Sequence, residues 1–451
     1  MGLDHPSWLL GFDPGNDRPR RRRAAGDGEA APLTAHVLCI GGEDHGLRIP
    51  FLLALRRRGF RVSAAGSGEA APFSQAGLPY FPFRFDRFVN PFADCTALGS
   101  LSKLFAELRP DLVQSFDTKP NLLVPLAARR ARAMRVVRTI NGLGWIYSSR
   151  SVKALALSPV YRNLHRLAAR STAATLFQNR EDMAFFERHR LLGKGTRRLI
   201  PGSGIDVDKF ERARLAGPSR AELRQALGLG DGEVVITVTR LTRQKGIATL
   251  LEAAALVHEA RPGVRFLLVG PRQSEGPLAI SQAEIDRHAR YVTALGPRSD
   301  IPSLLQMSDV FAFPTEYREG VPRALLEAAL AGLPIVATRM PGCSDVVEEG
   351  TSGFLVPPRS PRLLARRIID LLREREAAAN MSARAAQWVR QEFGLDLTVE
   401  RYAEVYEDLL TSPTQIGLAE RDGSKLASLQ RAAAQLGTDR ESDGCRIMGT
   451  Q

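Results

Sequence analysis

"EYREGVPRALLEAALAGLPIVAT" (residues 316–338) reads as a loop, an apolar helix and a short strand in succession. Pro322 suits a first helical turn. Leu325, Leu326, Ala328, Ala329 and Leu330 make the helix apolar nearly all round, which is the pattern of a buried helix. Glu327 stands in its middle, and an unpaired buried carboxylate is costly. Arg323, four residues earlier, offers an ion pair across one turn. The vicinal hydroxyls of a sugar or ribose are the other partner a carboxylate of this kind would accept hydrogen bonds from. Glu319 lies eight residues upstream, before the helix, where acids also favour the dipole.

Working outward, this helix belongs to a block in which strands and helices alternate, the sign of a parallel sheet. "VVITVT" (234–239), "VRFLLVG" (264–270), "YVTALG" (291–296), "DVFAFPT" (309–315), "PIVAT" (334–338) and "SGFLVPP" (352–358) read as strands or strand ends. An earlier block repeats the pattern with "AHVLCI" (35–40), "FRVSAAG" (60–66), "DLVQSF" (111–116), "RVVRTI" (135–140) and "TAATLFQN" (172–179). Continuous apolar runs suit strands covered on both faces. The expected fold is α/β, two Rossmann-like doubly wound domains facing a cleft. The boundaries are a disordered basic tail (1–33), a first domain (34–205), a second domain (206–395), a crossover helix (396–412) and a polar tail (413–451). The stretch from "ERARLAGPSRAELRQALGLGDGE" reads as a polar hinge.

A chain of 451 residues exceeds one ordinary core, and 44% apolar with 25% charged residues is globular composition. Cys39, Cys95, Cys343 and Cys445 are widely spaced without a C-x-x-C pair, which argues against a disulfide framework or zinc site. No run approaches the ~18 apolar residues of a membrane span, so a cytoplasmic protein is expected. The net charge of +13 calls for an anionic partner. Zinc-finger, RNP-like and homeodomain patterns are missing, so nucleic acid is not expected. Arg129, Arg130, Arg132, Arg135 and Arg138 crowd one segment, and "SVKALALSPVYRNLHRLAARS" (151–171) mixes apolar and basic residues at helical spacing. Such a face lies on an anionic membrane surface, or is simply solvated.

Ligands of open parallel sheets bind beyond the carboxyl ends of the strands, at helix N-termini. Arg240 follows "VVITVT", and Lys245-Gly246 opens the next helix; the two cations would hold a diphosphate from two directions. Glu319 and Glu327 flank another such end. Together, "EGVPRALLEA", "TRLTRQKG", "IPGSGIDVDKF" and "SGFLVPP" resemble, in order and spacing, the signature of the retaining family-4 glycosyltransferases of GT-B fold. The resemblance covers roughly residues 34–412. It implies that Arg240 and Lys245 bind a nucleotide diphosphate and stabilise its growing charge, and that Glu327 takes the ribose hydroxyls. It implies that Glu319, with the backbone N–H groups of Gly320 and Val321, contacts the donor sugar. Gly41 and Gly42, in "GGEDHG", and Gly270 complete the donor-binding set. Members are metal-independent, so no cofactor or metal is expected. The D-x-D string Asp206-Val207-Asp208 lies between the domains and is read as coincidence.

In the first block, "SFDTKPNLLVPLAARRA" and "RTINGLGWIY" resemble members that elongate polyprenyl-diphosphate-linked saccharides. Lys119, Asn141 and Gly142 are therefore the acceptor-side residues; His45, in the loop "GGEDHG", is added as a residue that touches substrate, a solvated loop histidine being its other reading. Many members place a histidine near the fourth strand to contact the donor sugar, and "VQSFDTKP" has none. The expected reaction moves a sugar from a nucleotide-sugar, UDP-linked, to a polyprenyl-linked saccharide, peripherally on the inner face of the cytoplasmic membrane. A soluble or phosphatidylinositol-type acceptor is the alternative. A Rossmann-type oxidoreductase would need G-x-G-x-x-G after the first strand, which "GGEDHGL" does not supply. A non-catalytic binding protein would be indifferent to loss of Glu327.

Overall fold

The computed structural model describes residues 35–83, 85, 90–129, 134–148 and 152–411. The expected tails, Arg130, Arg132 and Cys445 lie outside them. The first sheet comprises β1 (His36–Gly41), β2 (Arg61–Gly66), β3 (Tyr80–Pro82), β4 (Leu112–Phe116), β5 (Arg135–Ile140), β6 (Ala174–Phe177) and β7 (Thr196–Leu199). All strands are parallel, in the order β3-β2-β1-β4-β5-β6-β7. The second sheet comprises β8 (Val234–Val238), β9 (Arg265–Val269), β10 (Val292–Gly296), β11 (Val310–Phe313), β12 (Ile335–Thr338) and β13 (Phe354–Val356). Its parallel order is β10-β9-β8-β11-β12-β13.

The apolar runs are explained by burial on both faces of each sheet. In β1, Val37 and Cys39 enter one core while Leu38 and Ile40 enter the core on the opposite face. In β8, Val234 and Ile236 face one way and Val235 the other. Strand order reverses beside β1 in the first sheet and beside β8 in the second. Ligands of such sheets bind beyond the strand carboxyl ends at these switch points.

The expected polar hinge is helical. Asp206 caps the helix Val207–Ala216 by accepting a hydrogen bond from Lys209 N at 2.9 Å, which accounts for the D-x-D string. Ser219 and Glu222 form a capping box on the helix Arg220–Ala226. Phe210 and Leu223 from these helices bury in the second core, so the segment is part of that domain. Two further helices, Arg180–Arg188 and Arg375–Glu392, had no counterpart in the sequence reading.

Past the second sheet the chain returns to the first domain. Ile205 N donates to Phe393 O at 2.8 Å, and Leu395 N donates to Ile205 O at 2.9 Å, so the outgoing and returning segments are paired. The last helix, Leu395–Thr411, buries Val399, Tyr402, Ala403 and Tyr406 in the first core. Tyr402 hydroxyl lies 3.0 Å from Thr139 Oγ1, and Tyr406 hydroxyl donates to Gln114 Oε1 at 2.9 Å.

Candidate active site

At the switch point of the second sheet, Arg240 stands two residues beyond β8, and its guanidinium meets Glu275 at 2.9 Å. Thr242 caps the short turn Arg243–Lys245, and Gly246 then opens the helix Ile247–Ala260. This turn buries Lys245, whose ammonium forms an ion pair with Glu319 and lies 5.4 Å from the Tyr317 ring centre. Thr315 Oγ1 donates to the same Glu319 oxygen at 3.3 Å. Glu319, expected just outside the helix, is there: Pro322 is the N-cap and the helix runs Arg323–Leu330. Val321 lies one residue before that cap. Glu327 is mostly buried, with its carboxylate on Arg323 Nε at 2.8 Å. The ion pair across one turn is thus the partner present in the structure. Gly270 follows β9, alongside Thr239 at the end of β8.

At the switch point of the first sheet, Gly41 ends β1 and Gly42 N donates to Asp117 Oδ2 at 2.8 Å. Asp117 follows β4 with φ +68°. Its carboxylate also accepts from Arg48 at 3.0 Å and from Asn141 Nδ2 at 2.6 Å, and its own N–H donates to Asn141 Oδ1. Burial pushes this carboxyl up, but Arg48, the Gly42 N–H and the Asn141 amide outweigh it and hold the pKa below the ordinary value. One carboxylate therefore ties together the glycine turn, the loop after β5 and Arg48. Lys119 precedes the helix Pro120–Ala128 and pairs with Asp94 at 2.6 Å.

Two expectations for the first domain need correction. His45 is neither solvated nor open to a substrate. It is fully buried, hydrogen-bonded to Cys39 O at 3.2 Å and stacked on Phe73. Burial, then the charge of Arg48, push its pKa down to about 3, so it is a neutral core histidine under the glycine turn. Arg138 is not part of a basic surface. It is wholly buried, donates to Thr175 Oγ1 at 3.2 Å, and burial lowers its pKa to about 10.

The two domains meet where the loop after β11 touches the strand ends of the first sheet. Gly142 has φ +107°, and a Cβ there would lie 2.7 Å from Arg318 O and 3.0 Å from Gly320 N. Asn179 Nδ2 donates to Glu319 O at 3.1 Å, with Gly320 O at 3.4 Å. Arg318 pairs with buried Asp182 at 3.1 Å. Lys245, Glu319, Gly320, Gly142 and Asn141 are thus gathered in one place. Asp117, Arg48, Asn179, Asp182 and Arg318 were not singled out beforehand, although "SFDTKP" and "FQN" sit at strand carboxyl ends, which was the available signal. Among the described residues, no cluster of His, Cys, Asp and Glu is arranged to hold a metal ion. No helix there is long and apolar enough to cross a membrane.

Two facing parallel sheets, with paired charges and glycine turns at their switch points, define a two-domain nucleotide-binding enzyme architecture. The family model for the glycosyl transferase 4-like domain matches residues 51–202, and that for glycosyl transferases group 1 matches residues 219–388. The chain belongs to the family-4 glycosyltransferases of GT-B fold. It is 27% identical over 373 residues to N,N'-diacetylbacillosaminyl-diphospho-undecaprenol alpha-1,3-N-acetylgalactosaminyltransferase of Campylobacter jejuni. That match spans 82% of this chain and 97% of the relative. A GDP-mannose-dependent alpha-(1-6)-phosphatidylinositol monomannoside mannosyltransferase of Mycobacterium tuberculosis is 27% identical over 317 residues, 67% of this chain and 77% of that one. Among solved structures, Anabaena Alr3699/HepE in complex with UDP superposes with a TM-score of 0.67 at 20% identity, covering 83% of this chain and all of that one.

Proposed function

We propose that this glycosyltransferase is retaining and metal-independent, and moves a hexose or N-acetylhexosamine from a UDP-sugar to a lipid-linked saccharide. The observation that carries the reading is the largely buried Lys245–Glu319 pair at the second switch point, in the loop that Arg240 opens after β8. A diphosphate there meets two cations, and its sugar meets a carboxylate already held in place. Glu327 would take the ribose hydroxyls, sharing itself with Arg323. Gly320 and Val321 supply backbone donors, and the Gly41–Gly42 turn approaches from the first sheet. In the reaction the acceptor oxygen bonds to the anomeric carbon while the bond from that carbon to the phosphate oxygen breaks. The electron pair leaves with the nucleoside diphosphate, which Arg240 and Lys245 stabilise. The acceptor's proton passes to the departing phosphate oxygen on the same face, so configuration is retained without a protein nucleophile.

The acceptor assignment is supported by the Campylobacter relative, whose whole length is nearly matched. Lys119 and Asn141 lie on the acceptor side. Lys119 is held by Asp94 in the helix Pro91–Leu108, whose Phe92 is 89% exposed. Val152, Leu155 and Val160 of the helix Val152–Ala169 are likewise exposed. These apolar side chains on a basic protein suit an anionic membrane surface, where a lipid-linked acceptor resides. The Mycobacterium relative favours a second reading, the same chemistry on a phosphatidylinositol-type acceptor.

A thermal-shift panel of UDP-glucose, UDP-galactose, their N-acetylated counterparts and GDP-mannose tests the donor. Selective stabilisation by one UDP-sugar is expected. A response to GDP-mannose alone overturns the UDP assignment, and no response to any overturns the reading of the site. Flotation with anionic vesicles at low salt tests docking, and failure to float overturns the membrane assignment.

A further inference from the structure

We infer that Asn179 is a positioning residue that aims the backbone donors of Gly320 and Val321 from the opposite domain. The inference rests on the reading of Glu319 and its loop as the sugar-contacting segment. Asn179 is fully buried at the end of β6, just before the helix Arg180–Arg188. Its Oδ1 caps that helix by accepting from Asp182 N at 2.7 Å. Capping needs only an acceptor, which Ser, Thr or Asp supplies equally well. Asparagine adds an amide with two hydrogens: one donates to Asp182 Oδ2 at 2.9 Å within the same domain, and the other crosses to the second domain. There the amide nitrogen meets Glu319 O at 3.1 Å, with Gly320 O at 3.4 Å.

In a trans peptide the N–H points opposite to the C=O. The carbonyl of Glu319 shares its peptide with Gly320 N–H, and the carbonyl of Gly320 shares its peptide with Val321 N–H. Fixing both carbonyls on Asn179 turns both N–H groups away from the helix Arg180–Arg188 and sets the direction in which they point, with Gly320 N close to Gly142. A carbonyl that accepts a hydrogen bond also polarises the N–H of its own peptide. Surrounding contacts hold the same register: the Arg318–Asp182 pair lies on one side, and Gly142, with no side chain, lets the loop approach on the other. The donor loop is therefore completed by the first domain and reaches working geometry only when the domains meet.

Asn179→Ser and Asn179→Asp both keep a capping acceptor; the first is too short to cross and the second has no donor. UDP binding is read by calorimetry. Turnover is read as hydrolysis, with water taking the sugar and UDP leaving, from UDP-glucose, UDP-galactose and their N-acetylated counterparts, alongside the melting temperature and Glu319→Gln. The expected result is kcat lower by roughly 10–100-fold, the cost of a small misplacement at a reacting centre. KM, UDP affinity and melting temperature stay near those of the parent. If both Asn179 variants turn over at the parent rate while Glu319→Gln is inactive, the positioning role is overturned and the site reading stands. A kcat loss matched by an equal loss of UDP affinity, or by unfolding of both variants, overturns it too. If Glu319→Gln is as active as the parent, or the parent releases no UDP, the reading of the site itself fails.

Discussion

Lys245 and Glu319 are each about nine-tenths and five-sixths out of water as side chains, so each is the other's compensation. Removing one partner of a buried pair strands a charge, at a cost of about 3–5 kcal/mol when burial is complete. Lys245→Met and Glu319→Gln are each expected to destabilise by roughly 2–4 kcal/mol. The double variant should cost clearly less than the sum, because the stranded charge is gone; denaturant unfolding of all four proteins gives the coupling. Activity should be lost in all three variants, which separates the pair's structural part from its chemistry. These two residues were legible in the sequence because both stand beyond a strand's carboxyl end and before a helix, where ligands of parallel sheets bind. Asn179 and Asp117 were not legible, since each acts on residues far along the chain, Asn179 on Glu319 and Asp117 on Gly42. His45 misled for the same reason: nothing local shows that Phe73 and Cys39 enclose it.

Among elements, the contact between the helix Arg180–Arg188 and the short helix Cys343–Val346 carries a pH dependence. Asp345, in the latter, accepts from Gly342 N at 3.1 Å and from the backbone N–H of Arg180. Burial pushes its pKa up to about 6, despite those hydrogen bonds, with Glu181 and Asp182 adding to the rise. Between about pH 4 and pH 6 the folded protein holds a proton that the unfolded chain has released, so stability falls as pH rises through that window. Asp345→Asn should remove this fall, and the difference between parent and variant stability across pH 4–7 measures it. A difference that stays flat across the window would contradict the assignment. At this scale strands were legible because parallel strands buried on both faces are continuous apolar runs. The helix Arg375–Glu392 was not, because its sequence is alanine-rich and polar and only Ala378, Ser382, Ala385 and Val389 are buried. The capping box at Ser219 and Glu222 was readable as S-x-x-E, and polar composition obscured it.

For the whole molecule, the approach of the two domains depends on a residue with no side chain. Gly142→Ala adds a Cβ that meets Arg318 O at 2.7 Å, at a φ of +107° that alanine resists. The variant is expected to keep both sheets folded while the domains sit farther apart. Small-angle scattering should show a larger radius of gyration, and turnover should fall by roughly 10-fold or more. A variant with unchanged scattering and full turnover would show that this approach is not required. Two alternating blocks made the two-domain architecture readable from sequence. Which loops touch across the domains was not readable, because that depends on how two separately specified folds are set against each other.

The return of the helix Leu395–Thr411 to the first core also bears on how the protein is made. Tyr402 and Tyr406 fill space between Phe51, Phe60 and Phe116 and take the hydrogen bonds of Thr139 and Gln114. During synthesis the first domain emerges well before these tyrosines exist, and its sheet waits with that face uncovered until the second domain has been translated. A fragment ending at the linker would carry the same exposed face permanently. A soluble version of the first domain would need residues 395–411 supplied, on the same chain or as a separate peptide.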